Sequence, residues 1–268
     1  MRRRGEPRTL SPEARRVVAD LERDGVASTS VEALLGSAAL LEDVLSRTDD
    51  LIADQSADIV RRRRLVAGGE PTGWAGPLHD PHAVELLGAH PPVDPEDPYT
   101  RFLRHAQVAG VAGAYCRRDV RVLDMNGLLT LAAAPVRPTD WARTAAGPSL
   151  EVALHLTGVD EGTGPLHYVR ASHRRRGARR VRHLERSGHR LEDPDLLREF
   201  GDAAHVVLHG GAGTVVFFDP RGLHRTGRPT TRDRLVLHGR FATRSADRTV
   251  LLPADAGPRS ALADSALA

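Results

Sequence analysis

Five of the side chains between residues 155 and 224 are the candidates for moving protons near neutral pH: the imidazoles of His155, His167, His173 and His224, and the carboxylate of Asp219. An imidazole titrates close to neutrality and can serve as acid or base. Imidazole and carboxylate are also the donor types that hold first-row metal ions. Asp219 is followed five residues later by His224 and ten residues after that by Arg234, within GAGTVVFFDPRGLHRTGRPTTRDRLVLHGRF (residues 211–241). Asp80 and His82, in the Pro-rich stretch LHDPHAVELLGAHPP, carry metal-binding donors too, but a solvated pair is the expectation there. Cys116 is the only cysteine, which excludes an internal disulfide and a cysteine-based zinc site. It reads as a small, partly buried residue rather than a nucleophile.

The elements that must position these groups fall into two textures. The first half reads as helical. SPEARRVVADLERDG has Ser11 as N-cap, Pro12 in the first turn, Val17, Val18 and Leu21 at helical spacing, and Gly25 as terminator. SVEALLGSAALLEDVLSRTDDLIADQ follows with leucines at i, i+4 and i+7, predicting one or two amphipathic helices. Residues 68–98 are rich in Gly, Pro, His and Asp and read as irregular connection, after which DPYTRFLRHAQVAGVAGAYCRR returns to helix. Past Asp119 short strands take over. VRVLDMNGLLTLAAAPV reads as two strands turning at Asn126-Gly127. Further strands are predicted at Leu150–Thr157, Leu166–Val169, His205–His209, Thr214–Phe218, Arg234–Ala242 and Thr249–Leu252, with a short helix at DPDLLREFG. About eight short strands in one run predict a barrel or jelly roll.

The bulk numbers narrow the class. With 40% hydrophobic residues in 268, a folded globular chain is expected, its core leaning on Leu, Val and Ala because aromatics are only 4%. All 38 basic residues are arginine, a pattern of coding bias, and a net charge of +3 gives no footprint for nucleic acid. The basic N-terminus leads into no apolar run of signal or membrane-spanning length, so a soluble, cytoplasmic protein is expected. The run SHRRRGARRVRHLER (Ser172 to Arg186) could receive an anionic substrate group or be a solvated arginine-rich loop; it lacks the interleaved aromatics that stack bases.

Two stretches carry a family resemblance. LTGVDEGTGPLHYVRASHR (residues 156–174) and the Asp219–His224–Arg234 segment, in this order, resemble the paired signatures of the phytanoyl-CoA dioxygenase family. The resemblance implies a double-stranded β-helix, a cupin-like jelly roll with flanking helices, whose usual chemistry is oxygenation by iron(II) with 2-oxoglutarate. It implies His224 as the distal metal ligand and Arg234 as the arginine that grips the far carboxylate of 2-oxoglutarate. It also implies a His-x-Asp ligand pair after a tryptophan upstream of the strand at Leu150. There this chain reads WARTAAGPSLEVALHL: Trp141 matches, Ala142 falls on the histidine and Thr144 on the aspartate. No histidine occurs between Cys116 and His155, so no shift of alignment restores the pair. Alanine offers no donor and a neutral hydroxyl is a poor ligand. Halogenase relatives, which lose the carboxylate, keep the histidine that is missing here. A set rebuilt from Asp140, His155 or His167 with His224 is the remaining route to a metal. The family's PGSH turn appears as Arg170-Ala171-Ser172-His173, which predicts a relaxed backbone demand there.

The expected organisation is a helical and loop segment over residues 1–118, a double-stranded β-helix core over 119–253 and a tail over 254–268, in one structural domain. Three functions fit. One is a metal-independent enzyme of specialised metabolism that performs a rearrangement, cyclisation, elimination or hydrolysis with His155, His167, His173, His224 and Asp219 as acid/base groups. The second is an iron(II)/2-oxoglutarate dioxygenase with a non-standard metal site. The third is a non-catalytic protein that binds a small molecule or a partner. The replaced pair implies no cofactor, or only weak iron(II) and 2-oxoglutarate binding, and a small, anionic substrate is the expected ligand, with neither nucleic acid nor membrane as partner.

Overall fold

The computed structural model describes residues 10–68, 82–88, 94–133, 139–145, 147–186 and 191–243. The expected strand at Thr249–Leu252, the tail, and Asp80 with Pro81 lie outside these residues.

Eight α-helices and nine β-strands are defined among the described residues. Helices α1 (Pro12–Asp24), α2 (Val31–Leu35), α3 (Ala39–Asp54) and α4 (Ser56–Ala67) fill the N-terminal part, with strand β1 (Val26–Ser30) between the first two. After β2 (Ala83–Glu85) come α5 (Pro98–Arg104) and α6 (Ala106–Cys116), divided at His105. Strands β3 (Val120–Thr130), β4 (Ser149–His155) and β5 (Leu166–Val169) precede α7 (Arg175–Glu185) and α8 (Asp193–Phe200). Strands β6 (His205–Leu208), β7 (Thr214–Phe218), β8 (His224–Thr226) and β9 (Arg234–Thr243) complete the fold. The caps of α1 are those expected: the Ser11 hydroxyl accepts from Ala14 N, and Gly25 closes the helix at φ 83°.

The strands form a six-stranded sheet, order β1-β7-β4-β9-β3-β2, and a three-stranded sheet, order β6-β5-β8, with antiparallel pairing throughout. This is the cupin-like jelly roll with flanking helices. Two strands from the N-terminal segment, β1 and β2, extend the large sheet at its edges. The sequence VASTS gave no warning of β1, because a five-residue polar strand beside two helices has no alternation to betray it.

One expected element is corrected. Residues 120–130 are a single strand with an irregular register between Val122 and Asp124, and not a hairpin turning at Asn126-Gly127. The Asn126 side chain accepts from Leu87 N at 3.0 Å and donates to Gly88 O at 2.8 Å, tying down the chain next to β2. Gly127 is required by packing: a Cβ there would stand 2.8 Å from the Tyr99 hydroxyl oxygen. Asn-Gly is a turn signal only where no neighbouring element needs its small size and its amide.

The large sheet has two different faces. Leu150, Val152 and Leu154 of β4, with Leu235, Leu237 and Phe241 of β9, pack against Ala14, Val17, Leu21, Phe102, Leu103, Val108 and Val111 from the helices. Each such fully buried aliphatic side chain contributes about 1.5–3 kcal/mol. The other face looks toward the small sheet, where Val216 and Phe218 meet Tyr168, Leu208 and Val26. On β4 and β9 the inward positions Glu151, Ala153, Val236, His238 and Arg240 are only partly covered, while their outward neighbours are buried. The inner face along these strands is therefore less completely covered than the face against the helices. The small sheet's outer face is closed by α7 and α8 through Trp141, Val169, Val181, Leu196 and Leu223.

Candidate active site in the barrel lumen

His224 opens β8 directly opposite Ala142. The two residues exchange backbone hydrogen bonds, Ala142 N to His224 O at 2.9 Å and His224 N to Ala142 O at 3.0 Å. Residues opposed in an antiparallel bridge project to the same side, so the Ala142 methyl and the His224 imidazole share a face. Two residues on, Thr144 N donates to Pro220 O at 2.9 Å. The imidazole is buried beside Tyr168 (centroids 6.3 Å apart, stacked) and Phe218 (5.1 Å). Its Nδ1 donates to Gly222 O at 2.9 Å, which makes Nε2 the basic nitrogen of the neutral ring. Burial holds its pKa below the usual histidine range, against the opposing pull of the Gly222 bond, Glu151 and Asp219.

The other residues picked from the sequence do not gather around His224. His167 lies opposite Arg225, one position away from the Tyr168–His224 pair, and therefore points out of the lumen. Its Nδ1 is 3.0 Å from His205 Nε2, both rings sit edge-on to Trp141, and burial with Arg225 and His205 pushes it down to about 4. His173 follows the β5 turn and backs on Gly25, where a Cβ would come within 2.4 Å of its Nδ1. Burial lowers its pKa. Asp219 is fully buried but already engaged: it accepts from the Tyr115 hydroxyl at 2.5 Å and from Arg221 through Nε and Nη2, the latter at 2.5 Å. These contacts leave it a brace rather than an acid or base. Asp140 is exposed. His155 ends β4 on the inward side, with Nδ1 buried and without a partner, and burial takes it to about 4.

Arg234 is buried at the start of β9. Its Nη1 donates to the Gly164 carbonyl, to Gly227 O at 2.9 Å and to Thr163 O at 3.4 Å, and Nη2 reaches Thr130 Oγ1 at 3.3 Å. The guanidinium thus ties together the turn after β4, the end of β8 and β3.

The expectation of a relaxed turn at residues 170–173 is also corrected. Ala171 has φ 59°, the left-handed conformation that favours glycine, and its N donates to Asp24 O at 2.7 Å. Ser172 Oγ donates to Val169 O at 2.6 Å and accepts from Leu223 N at 2.7 Å, a turn-stabilising role. The backbone demand persists although the glycine does not.

The lumen instead contains groups the sequence reading passed over. Glu151 on β4 and His238 on β9 are joined, Oε2 to Nε2, at 3.1 Å. Burial would raise Glu151 and lower His238, yet their mutual bond and charge outweigh it, leaving the carboxyl below and the imidazole above its usual range. Arg240 is the direct cross-strand partner of Glu151, and Phe218, which packs on His224, is its partner on the other side. The signal was present as alternation in SLEVALHL and LVLHGRF, but polar positions in a half-buried strand read as solvent-facing until the second sheet is known. Among the described residues no group of three or more His, Cys, Asp or Glu side chains is arranged to hold a metal ion. Among them, too, no helix is long and apolar enough to cross a membrane.

Comparison with known proteins bears on the same segment. Residues 131–236 match the family model of phytanoyl-CoA dioxygenase (PhyH). No curated protein matches the chain. Among solved structures, EctD from S. alaskensis with 2-oxoglutarate and 5-hydroxyectoine superposes with a TM-score of 0.56 at 17% identity, covering 91% of this chain and 80% of that one. The non-heme alpha ketoglutarate dependent carbocyclase SnoK from nogalamycin biosynthesis gives 0.56 at 19% identity, with 94% and 91% covered. AviO1 from Streptomyces viridochromogenes Tue57 gives 0.53 at 18%, with 90% and 100% covered. Identities this low speak for the fold alone.

Proposed function

The chain carries a phytanoyl-CoA dioxygenase family domain on the fold of the iron(II)/2-oxoglutarate oxygenases, and we propose that it has given up the iron chemistry and acts as a metal-independent enzyme on a small molecule in the barrel lumen. The observation that carries this reading is the pairing of Ala142 with His224. In the family reading these two backbone positions bear the first and last ligands. One of them has a methyl group, and two residues on stands a neutral threonine. An iron(II) site with open positions needs three protein donors on one face; His224 is one, so the donor set does not fit the metal.

His224 and Arg234 are explained without a metal. The imidazole fills the space between Tyr168 and Phe218 and bonds Gly222 O. The guanidinium is spent on backbone carbonyls that would otherwise be buried without donors. Their retention therefore does not call for iron or 2-oxoglutarate. The fold accommodates non-hydroxylating outcomes, since SnoK, an alpha ketoglutarate dependent neighbour, is a carbocyclase from nogalamycin biosynthesis. A redox-neutral reaction in specialised metabolism, of the rearrangement, cyclisation, elimination or hydrolysis type, fits a lumen with acid and base groups and, among the described residues, no metal donor set.

The test is anaerobic titration with iron(II), alone and with 2-oxoglutarate, followed by exposure to oxygen. The expected result is no stoichiometric binding and no succinate. Stoichiometric iron or succinate formation would overturn the proposal in favour of a non-standard oxygenase.

A further inference from the structure

We infer that Glu151, His238 and Arg240 form an acid–base and anion-receiving site on the inner face of the large sheet, suited to a small substrate with a carbonyl or carboxylate next to an acidic C–H bond. The inference rests on the metal-free reading above and names the groups that would do the chemistry in it.

The placement comes first. Strands β4 and β9 pair in a register that sets Glu151 against Arg240 and Ala153 against His238. The row through Glu151 runs from Asp124 through Arg240 and Glu151 to Phe218, and the next runs from Asn126 through His238 and Ala153 to Val216. All of these side chains project to the side away from the helices. Phe218 and Val216 pack with Tyr168 of the opposite sheet, which fixes that side as the lumen. The Glu151 and His238 side chains keep 12% and 22% exposure, so the pair is enclosed without being sealed from solvent.

The chemistry follows from the orientation. Glu151 Oε2 accepts from Nε2–H of His238 at 3.1 Å. A carboxylate on one ring nitrogen fixes the tautomer, leaves Nδ1 as the base and stabilises the imidazolium that forms when Nδ1 takes a proton. The groups facing His238 are Glu151 and Asp124, which favour its charged form, and Arg240 and His224, the first of which opposes it and the second of which is itself kept neutral by burial. Arg240 Nε is buried and has no hydrogen-bond partner. A buried guanidinium N–H without an acceptor is costly on its own, and an oxyanion of a bound substrate supplies the acceptor.

The step balances without a co-reactant. His238 Nδ1 removes the proton from the carbon next to the carbonyl. The C–H electron pair becomes the new C=C bond, the carbonyl π pair moves onto oxygen, and the oxyanion is held by Arg240. Return of the proton from His238 to the same or a conjugated carbon gives exchange, epimerisation or double-bond migration, with no net oxidation.

Glu151 is in this scheme a positioning residue, acting through His238. Its role is read from the imidazole. In the full-length protein with ¹⁵N-labelled histidine, His238 should titrate above the ordinary histidine range as the Nε2–H tautomer. Glu151→Gln should return it to or below that range, and Glu151→Asp should restore part of the shift. A His238 indifferent to Glu151→Gln overturns the pairing.

Pyruvate, a carboxylate with an enolisable methyl group, is the probe for turnover. Methyl-proton exchange in deuterated water, followed by proton NMR with EDTA present, should be faster with the wild-type protein than with His238→Gln by about tenfold or more. Arg240→Met should lose most of the gain, and both variants are compared at matched fold by thermal melting. Exchange equal in wild type, His238→Gln and Arg240→Met overturns this inference while leaving the metal-free reading intact. Exchange or succinate formation that EDTA abolishes overturns the metal-free reading itself.

Discussion

Ala142 and His224 are bonded to each other through both backbone amides, at 2.9 and 3.0 Å, and so present a methyl group and an imidazole side by side. In the proposed reading these are the backbone positions of two metal-binding histidines, one of them replaced by alanine. Restoring the donors tests this directly. The double variant Ala142→His, Thr144→Asp is expected to bind cobalt(II) or iron(II) stoichiometrically where the wild type does not, as read by calorimetry and by the visible spectrum of the cobalt form. Equal binding by the wild type would contradict the reading.

Arg234 is expected to hold structure. Its truncation leaves the carbonyls of Gly164 and Gly227 without their donor. Arg234→Met should lower stability by about 2–4 kcal/mol in urea denaturation. A variant as stable as wild type, with changed 2-oxoglutarate affinity instead, would return the arginine to co-substrate binding.

Asp219 should behave as a brace in the same sense. Asp219→Asn removes the carboxylate charge that pairs with the partly exposed Arg221 and one of the two oxygens shared by Arg221 and Tyr115. With Arg221 partly solvated, the expected loss is about 1–3 kcal/mol, measured by urea denaturation.

Ala171 carries backbone strain at φ 59°. Ala171→Gly is expected to raise the midpoint of thermal unfolding, the gain being about 1 kcal/mol less the entropy glycine adds to the unfolded chain. A lowered midpoint would mean that the methyl group packs better than its conformation costs.

The stability profile against pH has a predictable sign. His155 and His167 are held down to about 4, below their value of 6.5 in the unfolded chain. Between these values the unfolded state binds more protons, so stability falls as pH drops from 6.5 toward 4. The Glu151–His238 pair acts differently. The Glu151 contribution is lost as pH falls through its lowered pKa, and the His238 contribution is lost as pH rises through its raised one. Replacing His155 and His167 by Gln should flatten the acid slope between 6.5 and 4, checked by urea midpoints across that range. An unchanged slope would show that neither ring is buried neutral.

The strands after Asp119 and the capped helix at Pro12–Asp24 were legible in the sequence because their signals are local: alternation, turn residues, a serine cap and a glycine stop. The same holds for the family signatures within residues 131–236. Helix or strand context alone could not reveal β1, whose five residues gain their ladder only from β7. It could not reveal that Asn126-Gly127 runs straight, since the reason lies in Tyr99, Leu87 and Gly88.

For the site the division is sharper. The sequence by itself determined which donors exist, and that Ala142 and Thr144 stand where the family resemblance implies a ligand pair. Only the tertiary structure decided which of the remaining groups meet. Side chains one residue apart on a strand face opposite ways, so Tyr168 looks into the lumen with His224 while His167 looks out with Arg225. Glu151 and His238, 87 residues apart in the chain, touch because β4 and β9 are neighbours in a sheet whose order no local signal encodes. Strand order is fixed by how two sheets and their helices bury apolar area together, a property of the whole chain rather than of any segment within it.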